Sequence, residues 1–343
     1  MFQPHKLWQD PTWFLKDIDL DQSQFEFYPT SREALSDAPF LDERFFGNNG
    51  SISRNLAFRD LSAMPEAAPE GCFLFHTAFC CSTLLASVLD LPGKVLALKE
   101  PGVVMKLANL NRRAGQANST QMEQLNQLTW KLLFRRFQPE EQLLLKPTNA
   151  ANNLLPSAVQ SGARVLLLYS DLASFLISVI KKGEACRYFV RHLLNILRLD
   201  RPDIDAWPDR QRMLLTDLQV AALVWSIQID MFQHILNTTP EQQVCSLKVD
   251  EFLAEPAEIL QALNGFFPLN YSPEELARME DNPRFTQHAK FANQDYDASV
   301  RRKERVQIEA QYAEEISTTL DWARRLRNDQ LPDVLPRALN TTP

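Results

Sequence analysis

The stretch FLFHTAFCCSTLLASVLDLPGKVLALKEP, Phe73 to Pro101, decides the fold. CFLFHT is a short apolar run with strand character. TAFCCST is a turn, Ser82 and Thr83 open a helical pattern, and VLALKE is a second strand-like run. An apolar run of this length, a turn, a helix and another such run predict a strand–helix–strand unit with parallel strands.

Working outward, the same alternation continues. TQMEQLNQLTWKLLFRRF has helical spacing, QLLLKP reads as a strand, and ARVLLLYS, Ala163 to Ser170, is the clearest buried strand. LASFLISVIKK follows as a helix, then the long helical LLTDLQVAALVWSIQIDMFQHIL, the strand QVCSLKV and two further helices. Alternating strands and helices imply an α/β fold, a parallel central sheet flanked by helices. Trp225, inside the long helix, reads as core. Residues 1–65, rich in aromatics and turn formers, read as an irregular N-terminal layer packed on a main domain of residues 66–340. The connector MPEAAPEG separates them because its prolines and glycine break regular structure.

The bulk numbers bound the function. Among 343 residues, 45% are hydrophobic and 23% charged, as in a globular chain with a sizeable core. A net charge of −7 argues against a broad nucleic-acid or anionic-membrane surface, though not against a local basic pocket. No apolar stretch reaches the roughly 18–20 residues of a membrane span, and the first residues lack the pattern of a signal peptide. Five irregularly spaced cysteines suit reduced thiols, so the expected location is the cytoplasm.

In a parallel sheet, ligands sit beyond the carboxyl ends of the strands. A loop from a strand into a helix offers free backbone N–H groups and the positive end of the helix dipole. Ala78, Phe79, Cys80, Cys81, Ser82 and Thr83 therefore form a candidate phosphate-binding loop, with the two hydroxyls as added donors. The nucleotide-triphosphatase pattern G-x-x-x-x-G-K-S/T is missing: the loop has neither glycine nor lysine. That, and the lack of a clear magnesium-binding carboxylate pair, speaks against a kinase.

In order and spacing the pieces resemble the sulfotransferase family, whose members move a sulfuryl group from 3′-phosphoadenosine 5′-phosphosulfate (PAPS) to a hydroxyl or amine. The family's loop commonly reads R/K-S-G-S/T-T-L-L, and FCCSTLL, Phe79 to Leu85, occupies that place. LKEP, Lys99 to Pro101, resembles the element that carries a glutamate after the next strand, and LLLKP a lysine-bearing strand. SDLASFLIS resembles the 3′-phosphate motif, with Ser170 at the arginine position and Ser178 at the serine position. VCSLKVDEFLAEPAEILQALNGFF and HAKFANQDYDASVRRKER resemble the two closing elements. The resemblance implies a P-loop-like sulfotransferase architecture, PAPS as co-substrate, and an acceptor that the sequence does not name.

Glu100 is the candidate general base, since an acceptor must lose its proton as sulfur is transferred. Lys146, at a predicted strand end, is positioned to reach the transferring group, with Lys99 a weaker substitute. His76 is a neutral donor beside the loop, or a core residue. Lys290, Arg301 and Arg302 are candidates to close over the nucleotide, or else a solvated face. His76 with Cys72, Cys80 and Cys81 does not have the spacing of a tetrahedral zinc site, so no metal is expected; a cysteine nucleophile at the helix start stays open. The rival to an enzyme is a non-catalytic nucleotide-binding or interaction protein on a degenerate fold of this kind, which the substitutions at Phe79 and Ser170 favour.

Overall fold

The computed structural model describes residues 7–47, 53–63, 71–114, 119–282 and 298–339, with backbone alone for 62–63 and 298–303. Five parallel strands form the central sheet: β4 (Cys72–His76), β5 (Val95–Lys99), β6 (Gln142–Lys146), β7 (Arg164–Tyr169) and β8 (Val244–Lys248). Their spatial order is β5-β6-β4-β7-β8. The chain leaves β4 for one edge of the sheet, returns to β6, then crosses to β7 on the other side. The direction of winding therefore reverses at β4, which makes its carboxyl end the topological switch point.

Both faces of this sheet are buried, which is why its strands read as unbroken apolar runs. Successive residues alternate between two cores. Phe73, Phe75, Leu145, Val165 and Leu167 face one, with Trp225, Phe175 and Val190 from the helices Leu172–Lys181, Gly183–Leu197 and Asp217–Thr238. Leu74, Ala97, Leu144, Leu166 and Leu247 face the other, with Leu84 and Leu85 of helix Ser82–Leu89 and Leu260 of helix Pro256–Phe266. Past β8, Ala338 pairs in parallel with Ser246 and covers the sheet's last edge. Among the described residues, no helix is long and apolar enough to cross a membrane.

The N-terminal region departs from the irregular layer expected of it. Trp13–Asp19 (β1), Gln24–Pro29 (β2) and Arg54–Ala57 (β3) form an antiparallel three-stranded sheet in sequence order. The aromatics of FEFYP carry a strand's two-residue alternation: Phe25 and Phe27 are buried, while Gln24, Glu26 and Tyr28 are less so. Helix Gly102–Ala114 packs on β1 and joins this sheet to the main core.

The join is also ionic. The buried Arg32 donates from Nε to Glu141 (2.9 Å) and from an Nη to Asp90 (2.8 Å) and to the Val95 carbonyl (2.7 Å). The fully buried Lys99 donates to the Ser36 carbonyl at 2.6 Å, with Asp90 4.0 Å away. Both carboxylates are shut off from water, so removing the guanidinium strands them. Arg32→Met is therefore expected to lower unfolding free energy by about 3–5 kcal/mol, read as a drop in the denaturation midpoint. A shift below about 1 kcal/mol, the value of an exposed pair, would show that the staple contributes nothing.

Candidate functional site

The carboxyl edge of the sheet gathers the residues singled out from the sequence. His76 ends β4, Lys146 ends β6, Glu100 follows β5 by one residue and Ser170 follows β7 by one. Lys146 is fully buried, and its Nζ donates to Glu100 Oε1 at 2.5 Å. This pairing is not automatic. Lys99 and Lys146 are partners across the β5–β6 ladder and share a face, so a regular strand would send Glu100 to the opposite face. Glu100 instead takes φ +52°, a conformation uncommon outside glycine, and its carboxylate returns to the Lys146 side. Its N–H donates to the Lys146 carbonyl at 2.7 Å. The backbone of Leu41 brackets the turn, donating to the Lys99 carbonyl (2.8 Å) and accepting from the Gly102 N–H (2.9 Å). Lys99 itself is spent on the N-terminal staple, while the Glu100 side chain keeps 21% of its surface open.

The loop after β4 has the shape of a glycine-bearing turn without the glycine. Phe79 and Cys81 have φ +63° and +56°, and Cys81 precedes helix Ser82–Leu89 with no side-chain cap. Cys81 itself thus supplies no side-chain cap to the helix's first N–H groups, and Ser82 and Thr83 stand in its first turn. Ala78 is buried. The Phe79 ring lies 5.2 Å from that of Phe175 and 6.0 Å from that of Phe189, and the Lys182 ammonium sits 4.0 Å above it.

Cys80 supports the loop from below. Its Sγ donates to the Thr77 carbonyl at 2.8 Å, and burial first, then the neighbouring Cys81, pushes its pKa up to about 12. A thiol held protonated in this way is not a ready nucleophile. His76 is buried with Nδ1 2.7 Å from the Thr77 carbonyl and Nε2 3.1 Å from that of Pro147. Only the imidazolium donates to both at once. The ring thus ties the loop to the end of β6. Asn152 adds a second tie, donating to the His76 carbonyl at 3.2 Å, and Gln228 accepts from Asn149 at 3.0 Å.

Beyond β7, the Ser170 carbonyl accepts from Trp225 Nε1 at 2.8 Å, while its buried hydroxyl and that of Thr77 have no hydrogen-bond partner among the described residues. Ser178 is half-buried, two helical turns on. Asp171 caps helix Leu172–Lys181 by accepting from the Ser174 N–H at 2.7 Å, and Lys248 Nζ is 3.1 Å away. Burial raises the Asp171 pKa, but the contacts from Ser174 and Lys248 outweigh it and hold the group below the usual carboxylate value. Burial and then Asp171 push the nearby Asp250 up. This flank is acidic, and Lys248 is already committed to it.

Lys290 lies outside the described residues. Arg301 and Arg302 fall in the first turns of the helix Ala298–Gln311, residues 298–303, where only the backbone is described. Among the described residues no group of three or more His, Cys, Asp or Glu side chains is placed to hold a metal ion. A cavity of about 230 Å³ lined by Arg201, Trp207, Asp230 and Arg327 shares no residue with the loop, and its arginines are engaged by Asp203 and Asp230. Sequence reading missed Lys182, Leu41 and the buried amides. For Lys182 a signal existed: it lies four residues, one helical turn, beyond Ser178.

No family signature matches the chain, and no curated protein does. Solved structures similar to it include three sulfotransferases. The sulfotransferase domain from the curacin biosynthetic pathway is 13% identical, with TM-score 0.38, over 71% of this chain and 98% of that one. The sulfotransferase domain from the Synechococcus PCC 7002 olefin synthase is 13% identical, with TM-score 0.38, over 73% and 97%. Mouse sulfotransferase SULT7A1 complexed with PAP is 12% identical, with TM-score 0.36, over 76% and 88%. Strand order and burial, independently of this likeness, define the chain as α/β with a parallel sheet between helices.

With its pKa near 12, Cys80 is about one part in 10⁴ thiolate at pH 8. Native protein treated with iodoacetamide at that pH should remain unmodified at Cys80 and react there only in denaturant, as read by peptide mass spectrometry. Rapid native labelling of Cys80 would mean an open loop and a reactive thiol.

Proposed function

We propose that the chain is a sulfotransferase that binds PAPS on the Ala78–Thr83 loop and transfers its sulfuryl group to a hydroxyl or amine acceptor. The observation that carries this reading is the row of groups across the sheet edge. β5, β6 and β4 are neighbours, so Glu100, the buried Lys146 ammonium and the loop stand side by side, at about 4.8 Å per strand. A phosphate on the loop amides and the Ser82 and Thr83 hydroxyls puts the sulfuryl group toward Lys146, with the acceptor beyond it near Glu100.

In the transfer, the acceptor oxygen or nitrogen forms a bond to sulfur as the bond from sulfur to the bridging phosphate oxygen breaks. The departing species is 3′,5′-adenosine bisphosphate. Glu100 takes the acceptor's proton, and Lys146 meets the negative charge on the sulfuryl oxygens. Positioning and electrostatics dominate here, as in phosphoryl transfer, and no metal is assigned a part. Ser178 is the candidate for the 3′-phosphate; Ser170, with its hydroxyl buried, reaches it only if the strand end moves.

The second reading, a non-catalytic nucleotide-binding or interaction protein, draws on the absence of a charged side chain within the loop. Titration with 3′,5′-adenosine bisphosphate separates the outcomes. Binding should raise the melting temperature, corresponding to about 2.7 kcal/mol at a hundredfold excess over Kd, and Thr83→Ala should weaken it by about 1.5–3 kcal/mol. No heat and no shift at millimolar ligand would remove the nucleotide from the account.

Glu100→Gln keeps an oxygen for Lys146 but cannot take a proton. With labelled PAPS and an acceptor found by screening, turnover per folded molecule should fall about 10²–10⁴-fold while bisphosphate affinity holds. Normal turnover would place the base elsewhere; wild-type binding without transfer to any screened acceptor would favour the second reading.

A further inference from the structure

The loop from Thr77 to Thr83 contains no charged residue, yet a cation is held against it. The ammonium of Lys182, from the end of the helix after β7, sits 4.0 Å above the Phe79 ring. Its neighbour Lys181 is engaged with Glu304, so the two adjacent lysines leave the helix for different partners. The separation is set by the backbone. Helix Leu172–Lys181 ends at Lys182, and Gly183, with φ +66°, starts the next helix in a new direction. Lys182 is exposed at that junction.

The same helix face carries the rest of the contact. Phe175, Ser178 and Lys182 are spaced i, i+3 and i+7, so they line one face. The Phe175 and Phe79 ring centroids are 5.2 Å apart, and the Lys182 ammonium lies over the Phe79 ring. Ser178 lies between them. The aromatic residue in the loop thus meets the helix face that carries the Ser178 hydroxyl and the Lys182 ammonium.

We propose that Lys182 is the anion-binding cation of this site, and that Phe79 is the shelf that seats it beside the loop. This inference rests on the phosphate-loop reading of Ala78–Thr83. A phosphate oxygen gives an ammonium a charge-assisted hydrogen bond, stronger than its contact with a phenyl face. The loop supplies shape and amides, and the helix supplies the charge.

Calorimetric titration with 3′,5′-adenosine bisphosphate at low and high salt tests this. Lys182→Met should weaken binding about tenfold or more, the loss expected for one hydrogen bond to a charged group, and should reduce the salt dependence. Lys182→Arg should bind within a fewfold of wild type, and Phe79→Leu should fall between. The double variant Phe79→Arg/Lys182→Met, which moves the charge into the loop, should recover most of the lost affinity. Melting temperatures close to wild type for the exposed Lys182 variants establish that the fold is intact. Wild-type affinity in Lys182→Met overturns the inference while the loop reading stands. Absence of binding by the wild type removes both.

Discussion

An ammonium group shut off from water needs a carboxylate within hydrogen-bond reach, because an unpaired buried charge costs several kcal/mol. Lys146 is in that position, and much of the local architecture follows from it. The ladder between β5 and β6 places Lys99, not Glu100, on the same face as Lys146. Two lysines side by side would repel, so one of them must be drawn elsewhere. Lys99 goes to the Ser36 carbonyl and the neighbourhood of Asp90, while Glu100 reverses its backbone to reach Lys146. The reversal is held by Leu41, and Leu41 belongs to the N-terminal region. The N-terminal region is in turn fastened by Arg32 to Asp90 and Glu141. The N-terminal sheet is thus part of what shapes the site, although it contributes no residue to the loop.

The loop solves a different problem. Residues such as Phe79 and Cys81 at positive φ cost on the order of 1–3 kcal/mol each relative to relaxed backbone. They persist because their surroundings over-determine them. The Phe79 ring is wedged against Phe175 and Phe189, the Cys80 thiol is fastened to Thr77, and His76 and Asn152 fix the strand end beneath. Glycine would take the same turn without strain, but it would bring no ring to the neighbouring helix.

Much of the sheet was legible in the sequence because strands buried on both faces are written as uninterrupted apolar runs. Glu100, Lys146 and His76 could be picked out because each sits where such a run stops, and strand ends on one edge of a parallel sheet converge in space. Their pairing could not be read, since it depends on the β5–β6 register and on one positive φ at a residue that seldom adopts it. The N-terminal strands were hidden for another reason: FEFYP alternates correctly, but it is short and set among turn formers that mask the period. Lys182 was missed because a cation over an aromatic ring joins a helix end to a loop more than a hundred residues earlier. Its one-turn spacing from Ser178 marks the helix face but not the ring that the face meets.

The same pairing bears on why a loop without a basic residue need not be a defect. A basic residue within the loop ties charge and backbone shape to one short segment. Here shape rests on the packing of Phe79, and the ammonium over its ring rests on the junction between two helices, set by Gly183. The two meet at the ring face, a contact worth about 0.5–1 kcal/mol at an exposed site. It follows that the identity of residue 79 and that of residue 182 are not independent: an aliphatic residue at 79 loses the shelf, and a neutral residue at 182 leaves a shelf with nothing on it.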